Sequence, residues 1–304
     1  MKPLLTGLVA APYTPFKANG DLALDVIRKQ VKLLTGNGVR GAFICGTTGE
    51  GSSLTCEERR KVAEAWMANK PEKLAVIVHV GHGSARESQA LAIHAKQCGA
   101  TAIASIAPSY FRPSSVVELV DWCASVAAAA PDLPFYYYHM PAMTGLNISA
   151  TAFLERADRR IPTLVGIKFT HENLMDFSQA ARFGGGRYEL VFGRDEILLA
   201  GLTLGAKGAV GSMYNFAAPL FNRIIRAHAD GQSAVALRLQ TKAMDIIDVL
   251  IRHGAHPAGK ATMKLIGLDC GPTRLPLPQL TPAGERSLRA ELKEIGFFDF
   301  ASKV

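Results

Sequence analysis

Apolar residues along the first 230 positions follow two alternating rhythms. Short β-branched and aromatic runs occupy positions 4–10, 41–45, 74–80, 101–107, 133–138, 164–169, 188–192 and 207–210. Between them the apolar residues recur every three or four positions, as Leu24, Ile27, Val31 and Leu34 do, which is the spacing of one buried helix stripe. Thr55 with Glu58, Ser84 with Glu87 and Ser115 with Glu118 have the spacing of capping boxes and mark three helix starts. Eight strand–helix units result, and their continuous apolar strands suit a parallel sheet covered by helices. A closed (β/α)8 TIM barrel needs eight such units in about 200–250 residues; a doubly wound open sheet is the rival. Beyond residue 230 no strand is expected. Helical patterns at 233–253, stopped by Gly254, and at 257–267 and 281–296 predict a C-terminal helical appendage. The expected division is therefore a barrel over 1–230 and helices packed on it over 231–304.

Composition narrows the class without naming a chemistry. With 48% apolar and 20% charged residues the chain is ordinary globular protein. No apolar run approaches the ~18 residues of a membrane span, and the start of the chain has no signal-peptide core. Five cysteines, odd in number and without a C-x-x-C pair, argue against a disulfide framework. A soluble, reduced, cytoplasmic protein is expected, with no membrane partner. The formal charge of +8 comes from Lys and Arg spread along the whole chain, with nothing denser than Arg59-Arg60-Lys61. Without basic–aromatic interleaving, this suits attraction of anionic small molecules and not nucleic acid.

In a barrel, reactive groups sit at the C-terminal strand ends and in the loops that follow. Strand two is followed by Gly46-Thr47-Thr48-Gly49-Glu50-Gly51, and strand five ends in Tyr136-Tyr137-Tyr138-His139-Met140-Pro141. Strand six carries Lys168, strand seven leads into Gly193-Arg194-Asp195-Glu196, and strand eight into Gly211-Ser212. Lys168 is the focus, because a charged lysine in an apolar strand is costly unless it snorkels, pairs or reacts. Apolar surroundings can lower a lysine pKa from ~10.4 towards ~7–8 and leave an amine able to form a Schiff base. The two threonine hydroxyls, among glycines and free backbone N–H groups, suit a carboxylate or a phosphate. Neither G-x-G-x-x-G nor the lysine of a phosphate-binding loop is present, so nucleotide binding is poorly supported. Alternation puts Tyr136 and Tyr138 on one face and Tyr137 on the other, and Tyr138 is best placed to present a phenol at the barrel mouth. His79 and His82 lack a third ligand nearby in sequence and read as packed or solvent-facing, so no metal is expected there. Cys45 reads as a small buried residue and not a nucleophile.

Taken together, Gly46-Thr47-Thr48-Gly49-Glu50, Tyr138-x-x-Pro141 and Gly166-x-Lys168 resemble the signature of a pyruvate-dependent class I aldolase superfamily, that of dihydrodipicolinate synthase and N-acetylneuraminate lyase. The similarity runs from Gly7-Leu8-Val9-Ala10-Ala11-Pro12 to Gly271-Pro272-Thr273-Arg274-Leu275-Pro276, and the stretch 134–145 looks most like the animal-type sialic acid lyases. The resemblance implies Lys168 as the Schiff-base lysine, Tyr138 as the proton-transfer phenol with Thr48 as a relay, and Thr47 and Thr48 as the grip on the pyruvoyl carboxylate. It implies a sugar site of Thr170, Gly193, Asp195, Glu196, Gly211 and Ser212. It also implies a homotetramer, with Tyr110, between Ser109 and Phe111, as the candidate for contact across subunits. Where the synthase branch has an arginine two residues after the Tyr-x-x-Pro proline, this chain has Met143. A thioether cannot hold a carboxylate as a guanidinium does. The implied activity is reversible cleavage of N-acetylneuraminate to pyruvate and N-acetylmannosamine, without a metal or dissociable cofactor, since the lysine supplies the electrophile. Another pyruvate-dependent aldolase or dehydratase of keto-sugar acids is the nearest alternative, and a catalytically silent relative a more distant one.

Overall fold

The computed structural model describes residues 4–304. Eight parallel strands close on themselves in the order β1 (Gly7–Ala10), β2 (Gly41–Ile44), β3 (Ala75–His79), β4 (Ala102–Ile106), β5 (Phe135–His139), β6 (Leu164–Phe169), β7 (Glu189–Phe192) and β8 (Gly208–Gly211). β1 pairs with β8 from Gly7↔Gly208 to Ala10↔Gly211, so the sheet has no edge and the open-sheet alternative is excluded. β1 is shorter than its apolar run because the N–H groups of Leu4 and Leu5 go to the Glu189 carboxylate and not to a strand ladder.

Nine helices punctuate the barrel: α1 (Asp25–Gly36), α2 (Cys56–Asn69), α3 (Ala85–Gln97), α4 (Val116–Ala128), the single turn α5 (Pro141–Thr144), α6 (Ala150–Ala157), α7 (Leu174–Arg182), α8 (Leu198–Thr203) and α9 (Ala218–Ala229). α1 buries Ile27, Val31 and Leu34, the stripe seen in the sequence. All three Ser/Thr N-caps accept from the backbone N–H three residues on. Only Thr55 completes the reciprocal box, with Glu58 bonded back to its N–H. The Glu118 carboxylate instead takes the N–H and hydroxyl of Ser114.

Strand alternation sorts the side chains into two cores. Phe43, Ile77, Tyr136, Tyr138, Val191 and Val210 fill the barrel interior, whereas Phe135, Tyr137, Ile167 and Phe169 pack outward with the helices. Tyr137 stacks on Phe153 of α6, with ring centroids 4.3 Å apart. Register then sets Tyr138 directly beside Lys168, and Lys168 beside Val191.

Three further helices follow: α10 (Ser233–Arg252), α11 (His256–Leu265) and α12 (Pro282–Glu294). α10 packs on α9 and on the turn after β7, while α11 and α12 pack on each other. Among the described residues no helix is long and apolar enough to cross a membrane.

Gly166, two residues before Lys168, shows how tightly β6 and β7 approach. A Cβ added there would stand 2.1 Å from the Glu189 carbonyl oxygen, a backbone atom that cannot move aside alone. Gly166→Ala is therefore expected to destabilise the protein by ~1–3 kcal/mol, as overpacking commonly does. Thermal denaturation of the variant checks it, and an unchanged Tm would mean the strands separate at no cost.

Candidate active site

The amine of Lys168 lies inside the barrel near its C-terminal end, with the side chain buried. Its Nζ stands 3.8 Å from the centre of the Tyr138 ring and 4.0 Å from that of Phe43. Both contacts follow from alternation, since Phe43 and Tyr138 are inward-facing residues of β2 and β5. Among the described residues no carboxylate is within ion-pairing distance of this amine. Ring faces attract a cation, so the pocket holds the amine without neutralising it by a fixed ion pair.

Beneath Tyr138 sits His79, which meets its ring edge-on at 5.8 Å. The Ile106 N–H donates to His79 Nε2 at 3.3 Å, so the ring proton is on Nδ1 and points to the Cys45 carbonyl at 3.1 Å. Burial, then the charges of Arg59 and Lys168, hold the imidazole pKa well below its usual value. His79 is thus a neutral packing and bonding residue, as expected from the sequence, and His82 accepts from the Ser84 N–H. Cys45 is also buried, and burial pushes its thiol up to about 11, consistent with an inert side chain.

The turn after β2 brings a hydroxyl to the phenol. Thr47 Oγ1 is 3.2 Å from Tyr138 Oη, and the same phenol donates to Met140 Sδ at 2.9 Å. The hydroxyl in contact is Thr47's, whereas the resemblance had given the relay to Thr48; the half-buried Thr48 makes no side-chain hydrogen bond among the described residues. The turn is sharply folded: Cys45 and Glu50 both have left-handed backbone, at φ 56° and 53°. A Cβ at Gly51 would stand 1.9 Å from the Cys45 carbonyl oxygen, so only glycine lets the turn close.

Glu50 ties this turn to the C-terminal helices, a connection that the sequence reading missed. Its buried carboxylate meets Lys260 Nζ at 2.7 Å and His256 Nε2 at 3.5 Å, both from α11. It also accepts from the Arg274 N–H at 2.8 Å. Burial alone would raise the Glu50 pKa, but His256, Lys260 and the Arg274 N–H outweigh it and hold the group below the usual carboxylate range. Lys260 in turn donates to the Pro272 carbonyl at 2.7 Å. Arg274 reaches across to Glu58, Ser53 and Gly20. Glu50 stands in the quoted motif, but its partners lie more than 200 residues away.

After β6, β7 and β8, at the same end of the barrel, buried polar atoms are left without partners. Thr170 Oγ1 and Asp195 Oδ1 make no hydrogen bond of acceptable geometry among the described residues. Asp195 Oδ2 accepts from the Met213 N–H at 2.9 Å, and Gln240 of α10 donates to the carbonyls of Asp195 and Glu196. Glycines make room here: a Cβ at Gly193 would lie 2.0 Å from Thr170 Oγ1, and one at Gly211 would lie 1.6 Å from Asp195 Oδ1. Ser212 follows Gly211 at the same rim and is half-buried. Glu196 differs from Asp195, being part-exposed and paired with Arg194 at 3.1 Å, while Arg194 also bridges to Glu172. Burial, then the charge of Glu196, raises the Asp195 pKa to about 7 against the pull of Met213, Tyr214 and Lys168. Tyr110 is far more open than any of these: it is 87% exposed and packs edge-to-face on the equally exposed Phe111.

The arrangement offers an amine in an aromatic pocket, a phenol bonded to a threonine, and a rim of free acceptors. That set can form an imine, move a proton beside it and hold a hydroxylated chain.

Comparison with known proteins agrees with this chemistry. Residues 4–295 match the dihydrodipicolinate synthetase family. The chain is 43% identical to N-acetylneuraminate lyase of Mus musculus over 306 residues, covering 99% of this chain and 96% of that one. Among solved structures, Proteus mirabilis N-acetylneuraminate lyase superposes with a TM-score of 0.94 at 42% identity, over 96% of this chain and 99% of that chain. N-acetylneuraminate lyase (sialic acid aldolase) from Aliivibrio salmonicida superposes at 0.95 with 41% identity, over 98% of each chain.

The raised Asp195 pKa has a thermodynamic consequence. As pH rises from about 4 to about 7 the unfolded chain releases this proton before the folded one, so charging Asp195 costs folding stability over that window. Asp195→Asn removes the cost. Its Tm relative to the unaltered protein should be higher at pH 8 than at pH 5, and a pH-independent difference would place the carboxylate in a more solvated setting.

Proposed function

The chain belongs to the dihydrodipicolinate synthetase family, and we propose that within it the protein is a class I aldolase that cleaves N-acetylneuraminate reversibly to pyruvate and N-acetylmannosamine. The observation that carries this reading is the Lys168 amine set 3.8 Å from the Tyr138 ring, with the Tyr138 phenol 3.2 Å from Thr47 Oγ1. Full-length similarity to N-acetylneuraminate lyases favours it over other keto-sugar-acid aldolases and dehydratases. Met143, 59% exposed on α5, stands against the synthase reaction, which would need a cation at that position.

In the proposed mechanism Lys168 Nζ adds to the C2 ketone of the open-chain sugar acid, and loss of water gives the protonated imine. Thr47 and Thr48 hold the neighbouring carboxylate through hydroxyl and backbone N–H groups. The Tyr138 phenol gives its proton to the water that leaves as the imine forms, and the resulting phenolate, to which the Thr47 hydroxyl donates a hydrogen bond, takes the C4 hydroxyl proton. The C3–C4 electron pair moves into the imine, leaving an enamine on Lys168 and an aldehyde on the departing N-acetylmannosamine. Protonation at C3 and hydrolysis then release pyruvate and free the amine. Thr170, Gly193, Asp195, Glu196, Gly211 and Ser212 receive the hydroxylated tail, for which the unpartnered Thr170 and Asp195 oxygens are the clearest support.

Residues 1–230 form the catalytic barrel and 231–304 the helices that brace it. A homotetramer is the assembly that fits, and the exposed Tyr110–Phe111 pair is the surface through which subunits meet. Five free thiols are consistent with a cytoplasmic enzyme of carbohydrate metabolism.

Borohydride reduction with pyruvate should add a three-carbon adduct at Lys168 and inactivate the protein, as peptide mass mapping would read. Lys168→Arg should give neither adduct nor turnover, because a guanidinium stays protonated. Tyr138→Phe should still give the adduct while turnover falls by ~10²–10⁴. A label on another lysine would overturn the assignment.

Asp195→Ala tests the tail. A lost hydrogen bond to a charged acceptor costs ~1.5–3 kcal/mol, so kcat/KM for N-acetylneuraminate should fall about 10- to 150-fold at ~1.4 kcal/mol per decade. A shorter keto-acid sugar without the terminal hydroxyls should lose little. Equal losses on both substrates would make Asp195 a support of the rim.

A further inference from the structure

We propose that Glu64, His94 and Cys98 form a zinc-binding site on the outer surface of the barrel, between α2 and α3. His94 and Cys98 are four residues apart at the end of α3 and share one helical face; the Cys98 N–H still accepts the helical bond geometry, donating to the His94 carbonyl. Glu64 comes from the neighbouring α2. His94 Nε2 lies 2.9 Å from Glu64 Oε1 and 3.5 Å from Cys98 Sγ, and all three ligand atoms lie within 4.8 Å of one another. Zinc bonds of ~2.0–2.3 Å to N, O and S at tetrahedral angles put neighbouring ligand atoms ~3.4–3.6 Å apart. The three ligand atoms are therefore close enough to be drawn onto three corners of that tetrahedron, which leaves a fourth for water.

Charge and softness point to the same ion. A carboxylate and a thiolate together balance a divalent cation, and imidazole with thiolate selects zinc over the oxygen-seeking calcium and magnesium. Zinc binding must displace the thiol proton, since the thiolate is the ligand. Glu64 is exposed, and His94 and Cys98 are half-buried, which leaves an entry path from solvent. The bound ion would clip α2 to α3, replacing the direct His94–Glu64 contact that joins them without it.

The test is zinc titration of the intact protein against a chromophoric chelator. One tight zinc per chain is expected, and Cys98→Ser and His94→Ala should each weaken it by at least the roughly 10–100-fold that loss of an outer-shell partner costs. Cobalt(II) in place of zinc should show a sulfur-to-metal charge-transfer band that Cys98→Ser abolishes. N-acetylneuraminate cleavage should be unaltered in both variants, which also shows that they fold. Zinc binding equally tight in the variants, no tight zinc in the unaltered protein, or a cobalt spectrum without the sulfur band would overturn the proposal.

Discussion

An amine inside a closed barrel is the constraint around which the site is arranged. Burying an isolated charge is expensive, and a partner carboxylate would repay the cost while tying up the nitrogen. The interior of this barrel takes a different route. Phe43 and Tyr138 offer ring faces to Lys168, and the His79 imidazole beside them is held neutral by burial and by the charges of Arg59 and Lys168. The Asp195 carboxylate, across the rim, feels Lys168 but is itself reluctant to ionise because it is buried. The nitrogen is thereby kept inside without being consumed by an ion pair.

The same constraint explains why the turn after β2 is so heavily secured. Its threonine must stay within hydrogen-bonding reach of the phenol, yet two of its residues hold left-handed backbone that costs energy. Glu50 supplies the anchor, but a buried carboxylate is itself a cost unless it is met by charge and N–H donors. Lys260, His256 and the Arg274 N–H meet it. The C-terminal helices therefore brace the turn after β2, and Gln240 of α10 does the same for the turn that carries Asp195.

The rim shows two ways of treating a polar group. Glu196, Arg194 and Glu172 satisfy one another in an ion-pair chain at the surface. Thr170 and Asp195 are buried with an oxygen left over, and Gly193 and Gly211 keep the space beside them clear. Buried polar atoms normally find partners within the protein, so the leftover Thr170 and Asp195 oxygens stand open to a further hydrogen-bonding group.

Periodicity placed the eight strand–helix units, the α1 stripe and the three Ser/Thr caps, which all depend on local spacing, whereas closure into a barrel against the open-sheet rival was decided by the pairing of β1 with β8. Strand ends in a closed barrel converge whatever lies between them, so the motif residues Lys168, Tyr138 and Thr47 meet at one end of it. Strand alternation even separated Tyr137 from its neighbours. Tertiary structure decided what spacing cannot encode. It brought the Thr47 hydroxyl, and not that of Thr48, within 3.2 Å of the phenol. It shortened β1 by giving two N–H groups to Glu189. It joined Glu50 to Lys260 and Glu64 to His94, pairs that lie far apart in the chain. Such contacts depend on how separate helices pack, and helix packing is set by the shape of the whole core and not by the order of residues within any one segment.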